Sequence, residues 1–252
     1  MVWFKKRQFI VYLIIGILAG FCMRLTEFDL SKFQDFKNMG DFLSKWFPMN
    51  LESLPYLFQE SLLTIAIAFL GSLFGLIIGL PLSFLAARNT SGHRLVFTTT
   101  RFYLSFLRSV PEFVFGLILL TTLGLGPFPA VIAIVLHNIG VLGKLISELI
   151  EASDKGPMEA MSAVGANRWI GNLFAILPQI WPNVLSQYFY RFEVAIRTSL
   201  ILGMIGGGGI GQQLFIHFKT FQYQLVSVDV LLIMIMVILV DYIGGKIREK
   251  VI

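Results

Sequence analysis

The chain has 252 residues, 56% of them hydrophobic and only 14% charged, with a mean hydropathy of +0.77. An ordinary soluble domain is about half apolar and a quarter charged, so this composition excludes one and points to several membrane spans joined by short loops. The net charge of +5 is scattered over many loops, which argues against a nucleic-acid partner, and the single cysteine, Cys22, leaves neither a disulfide framework nor a Cys-based metal site.

The apolar runs predict six spans. The first covers Phe9–Met23 behind the basic start MVWFKKRQ. Such a start also describes a signal peptide, but the further spans favour an uncleaved helix. Arg24 to Tyr56 is polar and mixed in charge, an external segment with a short amphipathic helix through DFLSKWF. The second span, about Ser61 to Ala87, places Gly71, Gly75 and Gly79 four apart, a smooth stripe that lets another helix approach closely. The third is centred on Phe102 to Leu123 and broken by Pro111, and the fourth covers about Ala130 to Ile150. After the polar segment 151–183 come a fifth span, about Val184 to Ile205, the turn IGGGGIGQQ, and a sixth, about Leu225 to Gly244. Residues 1–56 thus form a first helix with an external segment, and 57–252 a core of five spans. An even number of spans puts both termini on one side. Arg88, Arg94, Arg101, Lys144, Lys155 and Arg168 fall on that side, so the positive-inside rule makes it, and the loop 151–183, cytoplasmic.

Within that loop the stretch EAMSAVGANRWIGNLFAILP, Glu159 to Pro178, stands apart from the lipid-facing helices around it. Gly156 can cap, Pro157 is preorganised for the first helical position, and Glu159 lies in the first turn, where its charge complements the helix dipole. Met158, Met161, Gly165 and Trp169 then recur at helical steps, while Ala160, Ala163 and Ala166 keep the neighbouring face thin. A thin, Met-bearing surface suits docking into a groove of another protein. Gly165 permits a bend, Pro178 with Pro182 ends the helical segment beyond that bend, and Trp169 and Trp181 belong at the headgroup level.

This stretch resembles the EAA loop of ABC-importer permeases, whose pattern is E-A-A, three residues, G, nine residues, I, any residue, L-P. Glu159, Ala160, Gly165, Leu177 and Pro178 match in register, while Met161 replaces the third alanine and Ala175 the isoleucine. Over roughly residues 61–243 the chain is similar in particular to the phosphonate and phosphite permeases of that family, through LPQ, the RFE of the fifth span and the glycine-rich turn before GIGQ. The resemblance implies an all-α integral membrane protein of six transmembrane helices with the type I ABC-importer permease fold and both termini cytoplasmic. It implies that Met158, Glu159, Ala160, Met161, Gly165, Trp169, Leu177 and Pro178 form the coupling surface seated in a cleft of the ATP-hydrolysing subunit. The implied partners are two copies of that ATP-binding subunit, a second permease chain, identical or homologous, an extracytoplasmic substrate-binding protein, and the lipid of a bacterial cytoplasmic membrane. ATP and Mg would sit on the partner ATPase, with no cofactor on this chain.

The remaining candidates are weighed on chemistry. GGGGIG, Gly206 to Gly211, satisfies G-x-G-x-x-G, but a dinucleotide site needs a preceding strand and this turn leaves a membrane span. Gly206, Gly207, Gly208, Gly209 and Gly211 form either a tight turn where helices cross or an external gate that bends as a pore opens. Arg191, Glu193 and Arg197 lie in the fifth span, where charges are costly and face an interior or aqueous path. Glu193 and Arg197 can pair along one helix face, whereas Arg191 can snorkel to the interface. Any unpaired guanidinium among them would attract an anionic phosphonate. Arg108 and Glu112 flank Pro111 at pairing distance, His137 and Asn138 suit hydrogen bonds between helices, and Asp229 and Asp241 suit solvated helix ends. No nucleotide-binding G-x-x-x-x-G-K-[ST] and no cluster of nucleophile and base occurs, so the chain is a transport subunit rather than an enzyme, and no metal site is expected. The expected function is translocation of a phosphonate or related oxyanion, with another small solute such as an amino acid as the alternative. A less favoured rival is an ion-coupled carrier with Glu193, Arg197 and Asp229 as relay.

Overall fold

The computed structural model describes residues 6–31 and 36–251; the basic start at 1–5 lies outside them. Contacts divide the chain into two units, Met1–Lys45 and Trp46–Ile252. The first unit holds α1 (Lys6–Leu25), apolar along its length, and α2 (Phe36–Ser44). The short helix expected through DFLSKWF therefore sits earlier in the chain, ending before Lys45.

The second unit holds α3 (Leu54–Ala86), α4 (Arg94–Ser109), α5 (Glu112–Leu123), α6 (Pro127–Ala152), α7 (Gly156–Ala163), α8 (Arg168–Gly171), α9 (Leu177–Leu202), α10 (Ile210–Lys219) and α11 (Tyr223–Val251). The described residues contain no strand. Helices α1, α3, α6 and α11 are each long and apolar enough to cross a membrane. Two further spans are bent: α4 and α5 meet at 84°, and the segment Arg168–Gly207 meets α10 at 56°, giving six in all if each pair is one span.

The sequence dictates the first break. Proline disfavours the helical region for the residue before it, and both Val110 (φ −85°, ψ 120°) and Pro111 (φ −59°, ψ 143°) are extended. Elsewhere proline acts differently from expectation. Pro178 stands in the first turn of α9, where its missing N–H is no loss, and Pro182 lies inside that helix, which continues to Leu202. These two residues open the fifth span instead of closing the loop segment before it.

Helix α6 is the hub. Against it α3 lays the glycine stripe: a Cβ on Gly71 would come 2.7 Å from Ile134 Cβ, one on Gly75 2.5 Å from Asn138 Cβ, and one on Gly79 3.3 Å from the Gly143 backbone nitrogen. Glycines of α6 do the same for α4, since a Cβ on Gly140 would lie 2.5 Å from the Arg108 nitrogen and one on Gly143 2.8 Å from Leu104. Close backbone approach replaces the hydrophobic drive that is missing between helices in lipid. Around these contacts Ile67, Ala133, Ile134, Ile196, Leu202 and Ile210 form the main core.

Candidate functional site

The loop after α6 is built by its own polar groups. Glu151 caps the turn into α4 by accepting from the Arg88 backbone N–H at 3.0 Å and pairing with Arg101 at 2.9 Å, and Asn89 Nδ2 donates to the Ile150 carbonyl at 2.7 Å. Gln179 fastens the far side: its Oε1 accepts from the Asp154 N–H at 3.1 Å, and its Nε2 donates to the Ala175 carbonyl at 2.6 Å and the Asp154 carbonyl at 3.4 Å. Between them α7 starts with Pro157 in its first turn and Glu159 near its N-terminus. It stops at Gly165 (φ +78°), where the Gly165 N–H donates to Ser162 O and the Ala166 N–H to Met161 O, both at 3.0 Å. That pair of bonds is a Schellman cap, for which glycine supplies the left-handed residue.

Gly165 therefore ends the helix, and the expected face running from Met158 to Trp169 is divided in two. Met158 turns inward, for a Cβ on Gly171 would meet its Sδ at 2.6 Å. Glu159, Ala160 and Trp169 are exposed and Met161 is half-buried. Leu177 and Pro178 begin α9 after a π-helical turn at Asn172–Ile176. A cavity of about 350 Å³ opens beside α7, lined by Asn89, Asp154, Lys155, Met158, Glu159 and Ile176 among others. The loop is thus a short capped helix on a base fastened by Glu151, Asn89 and Gln179, with Glu159 and Ala160 exposed. Nothing in the spacing singled out Gln179 or Glu151 as fasteners of the loop, because the contacts that matter, to Asp154 and to Arg88 and Arg101, join residues 25 or more positions apart.

The charged residues of the spans pair across helices. Glu112, in the first turn of α5, lies 3.2 Å from Arg191 Nη2 and 3.3 Å from His137 Nε2. Arg191 Nε donates to Asn138 Oδ1 at 2.8 Å, and His137 Nδ1 is 3.0 Å from the Val110 carbonyl. Arg191 is 8% exposed, so it does not snorkel; Asn138 and Glu112 draw it inward. An anion would have to displace Glu112 to reach it. The expected pair Arg108–Glu112 is absent, because the break at Pro111 removes the helical geometry that would align them. Glu193 pairs with Arg248, and Arg197 with Asp241 at 2.7 Å, so the expected Glu193–Arg197 pair also gives way, here to partners on α11. Asp229 is not solvated: it is fully buried, with Oδ2 2.7 Å from His217 Nδ1. Glu193, Arg197 and Asp229 each have a separate partner and form no continuous relay.

The glycine turn is tightly packed at Gly207, Gly209 and Gly211 and half-buried at Gly206 and Gly208. Gly206, Gly208 and Gly209 have φ of +104°, +84° and +77°, conformations that L side chains rarely adopt. A Cβ on Gly207 would lie 2.8 Å from the Leu202 carbonyl, and one on Gly211 would collide with the Leu200 carbonyl. The Gly126 N–H donates to Gly206 O at 2.9 Å, and the Ile210 N–H to Thr64 Oγ1 at 3.0 Å. The turn thus joins the start of α6, the upper part of α3 and α10. No strand precedes it among the described residues, which removes the dinucleotide reading.

Known proteins bear on this geometry. The family model described as "Binding-protein-dependent transport system inner membrane component" matches residues 79–251. The phosphite transport system permease protein PtxC of Stutzerimonas stutzeri is 41% identical over 186 residues, covering 74% of this chain and 68% of that protein. The phosphate-import permease protein PhnE of Mycolicibacterium smegmatis is 33% identical over 245 residues, covering 94% of this chain and 46% of that one. Among solved structures, an inward-facing conformation of the MetNI methionine ABC transporter superposes with a TM-score of 0.69 at 20% identity, covering 81% of this chain and 100% of that chain. At that identity the likeness concerns the fold.

Proposed function

This chain belongs to the family of binding-protein-dependent transport-system inner-membrane components, and from that premise we propose that the solute it carries is a phosphonate, phosphite or related phosphorus oxyanion. It is a multi-pass membrane protein and the permease subunit of an ABC importer, a system that also comprises an ATP-hydrolysing chain, a substrate-binding protein and a second permease. The observation that carries the substrate reading is the similarity to permeases named for phosphite and phosphate import, the former at 41% identity.

In this reading the chain sits in a bacterial cytoplasmic membrane with both termini inside, two permease chains on two ATPase chains, and ATP and Mg on the ATPases. The exposed edge of α7, with Glu159 and Ala160 and the half-buried Met161 beside them, docks in the ATPase cleft. Closure of the ATPase dimer on ATP pushes α7, and Gln179, Glu151 and Asn89 transmit the push to α9, α4 and α3. The glycine turn 206–211 acts as the external gate, with the binding protein docked outside. By reciprocity of coupling, the loaded binding protein then favours the ATP-bound state.

The test is an affinity capture of the tagged permease from its native membrane, with and without Gly165→Asp. A Cβ at Gly165 meets nothing within 4 Å, so an aspartate there leaves the core undisturbed, while at φ +78° it strains the cap that ends α7. The wild-type chain should bring down a Walker-motif ATPase and the variant should lose at least nine-tenths of it. Equal capture would count against α7 as the coupling helix.

A further inference from the structure

Arg108 lies at an unexpected depth. Its backbone nitrogen is packed against Gly140, near the midpoint of α6, which by helix rise is about 19 Å from either end of that span. Midway along α4, Arg101 is bonded to Glu151, in the last turn of α6, and Arg94 opens the helix on the loop side. Helix α4 therefore descends from the loop end of α6 to mid-membrane. Arg108 is exposed there and has no hydrogen-bond or ion-pair partner among the described residues. A guanidinium at that depth is expensive in lipid, and residues of this kind face water or protein.

Arg108 also has companions. Arg94, Thr98, Arg101, Ser105 and Arg108 are spaced at steps of four, three, four and three, which keeps them in one stripe along α4. All are exposed except Arg101, which is partly so. The remainder of the helix surface has two other faces: Leu104 and Leu107 are buried against α6, while Leu95, Phe102 and Phe106 are exposed and apolar. A helix inside the membrane with a separate polar, exposed face turns that face to water or to protein and away from lipid, and an arginine stripe without facing carboxylates favours water. No acidic residue occurs in α4, and Glu112 just beyond the break is held by Arg191. At its lower end the stripe opens into a cavity of about 530 Å³ lined by Arg88, His93, Arg94, Phe97 and Thr98 among others.

We propose that the stripe from Arg94 to Arg108 lines the inner half of the translocation path and hands the anionic solute from mid-membrane to the cytoplasm. This rests on the solute being a phosphorus oxyanion. The planar guanidinium fork matches phosphoryl oxygens. Arg101 is held by Glu151, and Arg94 and Arg108 stand on either side of it, fourteen residues and about 21 Å apart, so a small anion meets one free guanidinium at a time. Serial weak sites let an ion leave, whereas a convergent cluster would trap it.

The test has two arms, both on the complete importer with its ATPase and binding protein. In inverted membrane vesicles, on a Cys22→Ser background, Ser105→Cys and Arg108→Cys should react with an anionic methanethiosulfonate at least tenfold faster than Phe102→Cys; equal rates overturn the water-lined stripe. In proteoliposomes, Arg108→Gln should cut methylphosphonate or phosphite uptake at least tenfold and Arg108→Lys should recover half or more. Wild-type uptake by Arg108→Gln overturns the anion role. If the wild-type importer moves neither solute, the substrate reading has failed, and the labelling ratio by itself upholds or overturns the stripe.

Discussion

Glu112 shows how much rests on single side chains in this membrane core. It is bonded to Arg191 and His137, two residues brought together from α9 and α6. Removing one partner of a buried ion pair leaves an uncompensated charge, whereas replacing the whole pair by apolar residues of similar size is often neutral. Glu112 is itself part-exposed and Arg191 keeps Asn138, so Glu112→Ala should lower stability by about 3 kcal/mol at most, the low end for a buried pair, read by denaturant unfolding of the purified chain in detergent. Glu112→Leu combined with Arg191→Met should restore most of the loss. Equal stability of Glu112→Ala and wild type would show that the pair is not holding the three helices. The pairing was not legible in the sequence. Spacing of four residues suggested Arg108 for Glu112 and Arg197 for Glu193, and in both cases a partner on another helix is the one observed.

Among elements, the close-approach face of α3 was the most legible, though not which helix it meets. Three glycines four apart announce a surface for close approach, and each of them meets α6 in the structure. Gly75→Ala would bring a Cβ within 2.5 Å of Asn138 Cβ, so a loss of about 1–3 kcal/mol is expected from overpacking. Gly16→Ala in α1 meets nothing within 4 Å and should leave the thermal midpoint unchanged or slightly higher. If the two variants shift the midpoint alike, the stripe is not a packing surface. The loop helix was legible only at its start. Pro157 and Glu159 mark where α7 begins, but Gly165 could bend a helix or end one, and only the hydrogen bonds to Ser162 and Met161 decide that it ends it.

For the whole molecule, the proposed coupling requires the loop to move the spans without slack. Gln179 bonds the loop start at Asp154 to the base of α9, and each such hydrogen bond is worth about 1 kcal/mol. Gln179→Ala should release that fastening. In the reconstituted importer, ATP hydrolysis should persist while solute moved per ATP falls at least fivefold. An unchanged ratio would mean that the push reaches the spans by another route, such as Glu151 or Asn89.

By itself the sequence determined the class of protein: a high apolar fraction in separated runs admits only membrane helices, and Pro111 with Val110 before it dictates a break because the proline ring clashes with a helical predecessor. The register of Glu159, Ala160, Gly165, Leu177 and Pro178 carried the family. Tertiary structure alone decided which charges meet, how steeply the broken span bends, and that α4 brings Arg108, without a partner among the described residues, beside the midpoint of α6. The physical reason is range. Proline geometry and apolar periodicity act within a few residues and can be read along the chain, whereas an ion pair in lipid is set by whichever opposite charge the packing of distant helices brings nearest.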